Sequence, residues 1–174
     1  RSAFYNCSGL IGSLNIPNSV TTIGGSAFYG CSGFTGDLII SNSVTSIGRY
    51  AFYGCSGFVG SLTISNSITT IEERAFYGCS GLTGSLTIPN SVTTISDYAF
   101  YNCSGLTSII VLAETPPTLG TSVFPFPLVY PSFSYNVPLY VLCGFVETYQ
   151  AASIWSLFSD IIGMCSSSTV SVTS

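Results

Sequence analysis

The side chains with the clearest chemical potential in this 174-residue chain are its seven cysteines. Five of them recur at a constant interval of 24 residues: Cys7, Cys31, Cys55, Cys79 and Cys103. Cysteines stacked in one column point in the same direction, which disfavours disulfides between neighbours. The chain has no histidine and no C-x-x-C pair, so a zinc site has no support. We therefore expect buried, reduced cysteines and no metal.

The two remaining cysteines, Cys143 and Cys165, lie outside this column and flank a segment with helical spacing of apolar residues. They form an even pair in the C-terminal part of the chain. The sequence leaves open whether they form a structural disulfide or remain free.

Catalysis has little support in the sequence, because it requires a base, a nucleophile and a group that orients them. Without histidine, the best candidate is Glu72 and Glu73 beside Arg74, which is more simply interpreted as a solvated loop. We expect no enzyme activity and no cofactor. Three arginines and a net charge of −4 also make nucleic acid an unsuitable partner. No apolar run approaches the roughly 18–20 residues of a membrane-spanning helix, so we expect no membrane insertion.

The cysteine column belongs to a longer repeat. The phrase AFYGCSGF stands at 27–34 and again at 51–58, and variants begin at Ala3, Ala75 and Ala99. A constant period between 20 and 50 residues indicates a solenoid. Within each period an L-x-I pattern predicts a short strand with one buried face; its first column is Leu14, Leu38, Leu62 and Leu86. We predict a repeat solenoid, a right-handed coil of about five turns with one short parallel strand per turn.

The remaining columns and segments complete this prediction. One column, predicted to form a buried amide ladder, contains Asn18, Asn42, Asn66 and Asn90. We assign residues 1–112 to the solenoid and 113–165 to a C-terminal cap with a strand at 139–143 and a helix within 145–158. A stretch rich in proline and aromatics, FPFPLVYPSF, is expected to wander over the end of the solenoid because proline cannot continue a strand ladder. Residues 166–174 are predicted to be a disordered tail or linker.

These patterns resemble a known family. The segment LTIPNSVTTISDYAFYNCSGL at 86–106 is similar to repeats of BspA-like leucine-rich-repeat surface proteins, which read roughly L-x-x-I-x-I-P-x-x-V-x-x-I-x-x-x-A-F-x-x-C. The segment YVLCGFVETYQAASIWSLFSDII also resembles one that ends such arrays in Bacteroidetes, although Leu142 stands where proline is usual and Phe145 where a small residue is usual. The repeats have 24 residues, whereas 23 is the commoner length. The resemblance implies a leucine-rich-repeat fold, a secreted or outer-membrane-attached location, adhesion and no catalysis.

A binding role requires an exposed face, and the strands offer one. The positions predicted to contact a partner are Asp37, Ile39, Thr63, Ser65 and Thr87, followed by a tyrosine column represented by Tyr29, Tyr53 and Tyr77. The expected partner is an extracellular protein or a glycan. Alternatives are a solvated sheet in a purely structural spacer, and tyrosines that only stack on each other. A further alternative is an ice-binding surface, suggested by paired hydroxyl columns that begin at Thr21 and Thr22.

The first turn raises a separate expectation. The sequence begins inside a repeat, so Phe4 and Leu10 lack a neighbouring turn on one side. An uncapped solenoid presents open strand edges, which favour association. We predict self-association through this end, and we expect any signal peptide to lie outside the sequence.

Overall fold

The strands of this protein form two parallel stacks that run along a solenoid of about six turns, in a computed structural model that describes residues 1–124, 135 and 137–165. The first stack contains β1 (Thr22–Ile23), β3 (Ser46–Ile47), β5 (Thr70–Ile71), β7 (Thr94–Ile95) and β9 (Thr118–Leu119). The second contains β2 (Leu38–Ile39), β4 (Leu62–Thr63), β6 (Gly84–Ile88), β8 (Leu106–Val111), β10 (Leu139–Leu142) and β11 (Ile161–Met164). Hydrogen bonding divides the first stack into the sheets β1-β3 and β5-β7-β9, and the second into β2-β4 and β6-β8-β10-β11. All pairings between these strands are parallel.

The solenoid is confirmed, but two of its details were predicted wrongly. The coil has about six turns instead of about five. Each repeat also contributes a second short strand, because the β-branched pair after the corner, such as Thr70-Ile71, is extended and buries its isoleucine. The predicted L-x-I stacking is seen where Leu38 lies in register with Leu62, whereas Leu14 lies outside the named strands.

The corner between the two strands explains a third difference. Each corner is a turn closed by a backbone hydrogen bond, for example from the N–H of Val20 to the carbonyl of Pro17 at 2.9 Å. The asparagine of that turn therefore points to solvent. All four members of the asparagine column are exposed, so the prediction of a buried amide ladder is wrong. One ladder contact is present, from the N–H of Asn66 to Oδ1 of Asn42 at 3.0 Å.

The C-terminal segment continues the second stack and closes its end. Strand β10 pairs with β8, and β11 pairs with β10. The predicted helix consists of α1 (Val146–Ala151) followed by a 3₁₀ turn (Trp155–Leu157). Tyr149 and Trp155 are buried, and their polar atoms donate hydrogen bonds of 2.8 and 2.7 Å to the carbonyls of Ala113 and Pro117. Buried donors that are satisfied in this way fix the cap on the last turn.

The disulfide that the sequence left open is present: Cys143 and Cys165 are bonded, with Cα atoms 4.8 Å apart. It links the end of β10 to the end of β11. The boundary placed at residue 112 stays a prediction, and ladder bonds continue beyond it to Val123, whose carbonyl accepts the N–H of Phe100. Of the predicted wandering segment at 124–133, the structure describes Phe124, which is buried; the rest of that segment and the predicted tail at 166–174 lie outside the described residues. Within the described part of the chain, no helix is long and apolar enough to span a membrane.

Candidate binding surface

Identical side chains stack on each other in the interior and support the exposed face of the strands. Phe52, Phe76 and Phe100 are fully buried, and consecutive rings in this column lie 5.5 and 5.3 Å apart between centroids, nearly parallel. The cysteine column lies beside them, and four of its five thiols donate to the carbonyl of a phenylalanine in the preceding turn; Cys79, for example, lies 3.1 Å from the carbonyl oxygen of Phe52. These contacts fix the turns in one register.

The column cysteines are free thiols, as expected from the sequence, and four of the five are buried. Burial raises the pKa of Cys55 to about 12 and that of Cys103 to about 12. Burial also raises the pKa of Cys79 well above its ordinary value. Since the thiolate is the nucleophile and metal ligand, these groups are chemically inert near neutral pH. Among the described residues, no cluster of three or more potential metal ligands is present.

The strand face is the most regular exposed surface of the second stack. Asp37, Ile39 and Thr63 are exposed as predicted, and Thr87 is half-buried. Oδ1 of Asp37 accepts the N–H of Ser61 at 2.6 Å and its hydroxyl at 2.8 Å. The backbone donor and then the hydroxyl lower the pKa of Asp37, so this carboxylate is ionised at neutral pH.

Ser65 does not belong to this face. It is fully buried, its hydroxyl donates to the carbonyl of Val44 at 2.7 Å, and it accepts the N–H of Ser67 at 3.1 Å. The prediction that Ser65 is available to a partner is therefore wrong. The position lies where the chain leaves the strand and turns inward, so the alternation of the strand does not extend to it. Its role is to stabilise the corner.

The tyrosine column forms a stack on another side of the coil. Tyr29, Tyr53 and Tyr77 are half-buried, with centroids 4.6 Å apart for both neighbouring pairs and nearly parallel planes. Burial is the main cause that raises the pKa of Tyr53. Because each ring covers the faces of its neighbours, the column offers edges and hydroxyls to a partner instead of open aromatic faces.

A cluster next to the tyrosine stack was not predicted as a unit. Arg74 lies between two rings, with its guanidinium carbon 4.6 Å from the centroid of Tyr98 and 5.7 Å from that of Tyr50. It donates to the Tyr50 hydroxyl at 3.0 Å and pairs with Glu73. The only sequence signal is that these residues fall in the variable triplets of consecutive repeats. Because Arg74 contacts Tyr50 in the preceding turn and Tyr98 in the following turn, the cluster links adjacent turns.

The ice-binding alternative rests on two hydroxyl columns. The column that begins at Thr22 lies in the strands of the first stack, and the column that begins at Thr21 directly precedes those strands. Thr45 and Thr93 donate their hydroxyls to the carbonyls of Thr21 and Thr69, at 3.2 and 3.3 Å. These two hydroxyls are therefore occupied by hydrogen bonds to the backbone of the preceding turn. Thr70 and Thr94 are half-buried. Nothing in this geometry favours an ice-binding surface.

The N-terminal end of the solenoid contains an apolar cavity of about 490 Å³, lined in part by Leu14, Val20 and Phe34. Two residues at its rim are large and apolar: Phe4 is 43% exposed and Leu10 is 38% exposed. The contrast with the other end is clear, since Trp155 is 1% exposed there.

Comparison with known proteins adds family evidence. Residues 1–125 match, in six copies, the family described as "BspA type Leucine rich repeat region". None of the curated proteins matches the chain. A leucine rich cell surface protein from Faecalibacterium prausnitzii is similar in structure, with 27% identity, a TM-score of 0.54 and coverage of 90% of this chain and 33% of its own. A leucine-rich repeat protein from Bacteroides ovatus has 20% identity, a TM-score of 0.46 and coverage of 93% and 57%. The chain therefore spans about a third of the first relative's length.

Proposed function

The chain belongs to the BspA-type leucine-rich-repeat family, and from that premise we propose that it is a non-enzymatic binding module at the cell surface or outside the cell, with a protein or glycan as partner. The observation that carries the proposal is the exposed strand face, where Asp37, Ile39 and Thr63 stand side by side on a rigid stack. A surface location is supported by the similarity to a protein described as a leucine rich cell surface protein.

The physical argument concerns rigidity and repetition. The strand face is supported by the stacked phenylalanines and by thiol–carbonyl bonds between turns, so little ordering is required when a partner binds. Repeated weak contacts along the solenoid also raise the effective affinity for a partner with several epitopes. A purely structural spacer would have the same interior but would not require an accessible strand face.

A binding panel tests this proposal. The chain is screened by biolayer interferometry against immobilised extracellular matrix proteins and a glycan array, together with Thr63→Arg on the strand face. We expect Thr63→Arg to remove the binding, since a long charged side chain would stand in the contact surface. The matched control is Ser46→Arg, at an exposed strand position of the first stack. Binding to no member of the panel, or equal loss with both variants, would contradict the strand-face proposal.

We also propose that the N-terminal end mediates self-association. The apolar cavity and the exposed rings and aliphatic chains around it support this proposal, because contiguous exposed apolar surface marks interaction sites. Sedimentation velocity across a concentration series should show a shift toward larger species, abolished by Leu10→Asp. The control is Ile162→Asp, at an exposed aliphatic position on β11. A single unchanging species for the unmodified chain would exclude the idea.

A further inference from the structure

The outward residues of the strand face are not the same in every repeat, and the residues that differ lie mainly in the second and third turns. Most outward positions of the repeats are serine or threonine, such as Thr35, Thr63 and Thr83. Three outward positions in two columns are aliphatic and strongly exposed: Ile11 at 83% and Val59 at 62% in the column of Thr35 and Thr83, and Ile39 at 55% in the column of Thr63. A third column is acidic at Asp37, where the other repeats have serine. A solvated face has no need of exposed β-branched aliphatic side chains.

The register of the turns places Val59 and Ile39 on either side of Asp37. Asp37 binds Ser61 through the N–H and the hydroxyl. The same carboxylate lies over Gly60, where an added Cβ would collide with it. Val59 comes directly before Gly60 and therefore lies on one side of the Asp37 carboxylate. Ile39 comes two residues after Asp37, lies on its other side and pairs with Thr63. We call Asp37, Ile39 and Val59 the aliphatic–acid patch.

Among the described residues, no cationic side chain pairs with the carboxylate of this patch. The chain has three arginines and no lysine or histidine. The ion pairs among the described residues join Arg49 to Glu72 and Glu73, and Arg74 to Glu73. Asp37 takes part in none of them. An ionised carboxylate beside exposed aliphatic side chains is complementary to a cation that sits beside an apolar group.

We propose that the aliphatic–acid patch binds a protein segment that presents a lysine or arginine next to a large aliphatic or aromatic side chain. This inference rests on the proposed function and narrows its partner from protein or glycan to protein. Sugar rings are commonly held against open aromatic faces, and the patch consists of aliphatic chains and a carboxylate. Ile11 lies outside the patch, in the preceding turn, where its neighbour Gly12 accepts the N–H of Thr35 at 2.8 Å.

The test uses three short synthetic peptides with the same glycine–serine frame and a central Leu-Lys, Leu-Glu or Ser-Lys pair. The full chain, with labelled isoleucine and valine methyl groups, is titrated with each peptide and with a chitin oligosaccharide, and followed by NMR. We expect the Leu-Lys peptide to shift the methyl signals of Ile39 and Val59, and to bind more tightly than the other probes. Raising the salt concentration should weaken its binding by screening the exposed charge.

Conservative variants locate the contact. Val59→Thr restores the residue found at positions 35 and 83 and should weaken Leu-Lys binding about fourfold, the equivalent of roughly one buried methylene. Asp37→Asn keeps an acceptor for Ser61 and should weaken it about threefold, as expected for an exposed ion pair. The matched control is Asp97→Asn, because Asp97 likewise accepts the N–H of a residue 24 positions further on, Thr121 at 2.7 Å. That variant should leave binding unchanged.

Several results would overturn the proposal. These are the absence of methyl shifts with all peptides, equal affinity for Leu-Glu and Leu-Lys, oligosaccharide binding at the same methyls, or methyl shifts that follow the concentration of the chain itself. Affinity unchanged by both Val59→Thr and Asp37→Asn would also refute it. The binding panel distinguishes a failure of the patch from a failure of the proposed function. If a panel protein binds, and Thr63→Arg removes that binding while the patch variants do not, the strand face binds a partner but the patch does not.

Discussion

The inward and outward sides of the second strand stack follow different rules. Inward positions keep the same residue from turn to turn, as at Leu38 and Leu62, because each side chain packs on its copy one turn away. Outward positions differ, as where Ile39 lies opposite Thr63 in the same register. The interior therefore determines the fold, whereas the outward side can change residues without altering it.

The largest expected effect comes from ionising the interior. The thiol pKa of Cys55 and Cys103 is about 12 in the folded chain against an ordinary 9.0. A raised pKa means that the folded state holds the proton more tightly, so the stability is complete below pH 9 and is lost as pH rises from about 9 to about 12. Each thiol would contribute on the order of 4 kcal/mol to this loss.

Urea unfolding at a series of pH values measures this effect. Cys55→Ala should flatten the alkaline decline, because it removes one titrating group. Cys7→Ala is the control, since Cys7 is only half-buried at the N-terminal end. A decline with the same slope in Cys55→Ala and in the unmodified chain would show that the buried thiols do not cause it.

The next effect comes from breaking the phenylalanine stack. Phe76→Ala should reduce the free energy of unfolding by about 3–5 kcal/mol, because the ring is fully buried between two others and leaves a cavity. Phe4→Ala should cost clearly less, because Phe4 is largely exposed and stacks on Phe28 alone. Urea denaturation of both variants gives the comparison, and equal losses would contradict the stacking argument.

The disulfide between Cys143 and Cys165 should give an intermediate effect. It closes a loop across a sequence separation of 22, and its reduction should cost about 2–4 kcal/mol in the stability of the terminal strands. Hydrogen exchange of β10 and β11 with and without reductant measures this loss, while exchange in β4 should change little. The double variant Cys143→Ser/Cys165→Ser should be insensitive to reductant; sensitivity would point to another cause.

The smallest effect is expected on the outward side. Ile39→Thr and Val59→Thr should each change the free energy of unfolding by less than about 0.5 kcal/mol, since both residues are exposed and threonine occurs at the same position in other repeats. Thermal and urea denaturation check this. A loss comparable to that of Phe76→Ala would mean that these residues belong to the fold.

Much of the interior could be predicted from the sequence, because a constant period places chemically identical residues on each other. The thiol column, the L-x-I strand and the cap strand at Leu139–Leu142 were all visible in this way. The second strand of each repeat was missed, since two residues such as Thr70-Ile71 give too short a pattern to show alternation.

Features that depend on geometry at corners could not be predicted. Ser65 and Asn66 are adjacent polar residues, yet one is buried and the other exposed, because a backbone turn points them in opposite directions. Periodicity also cannot show that Arg74 lies between Tyr50 and Tyr98, since that contact arises from non-identical residues in successive turns. The aliphatic–acid patch was only partly visible: Asp37 and Ile39 were identified, whereas Val59 required the register of Gly60 against Asp37.

A triple variant on the outward side separates a role in binding from a role in folding. Asp37→Asn/Ile39→Thr/Val59→Thr is compared with the unmodified chain for its free energy of unfolding and for its affinity toward the Leu-Lys peptide. We expect a stability within about 1 kcal/mol of the unmodified chain and an affinity reduced by about tenfold or more. Unchanged affinity, or an affinity loss that appears only together with unfolding, would contradict it.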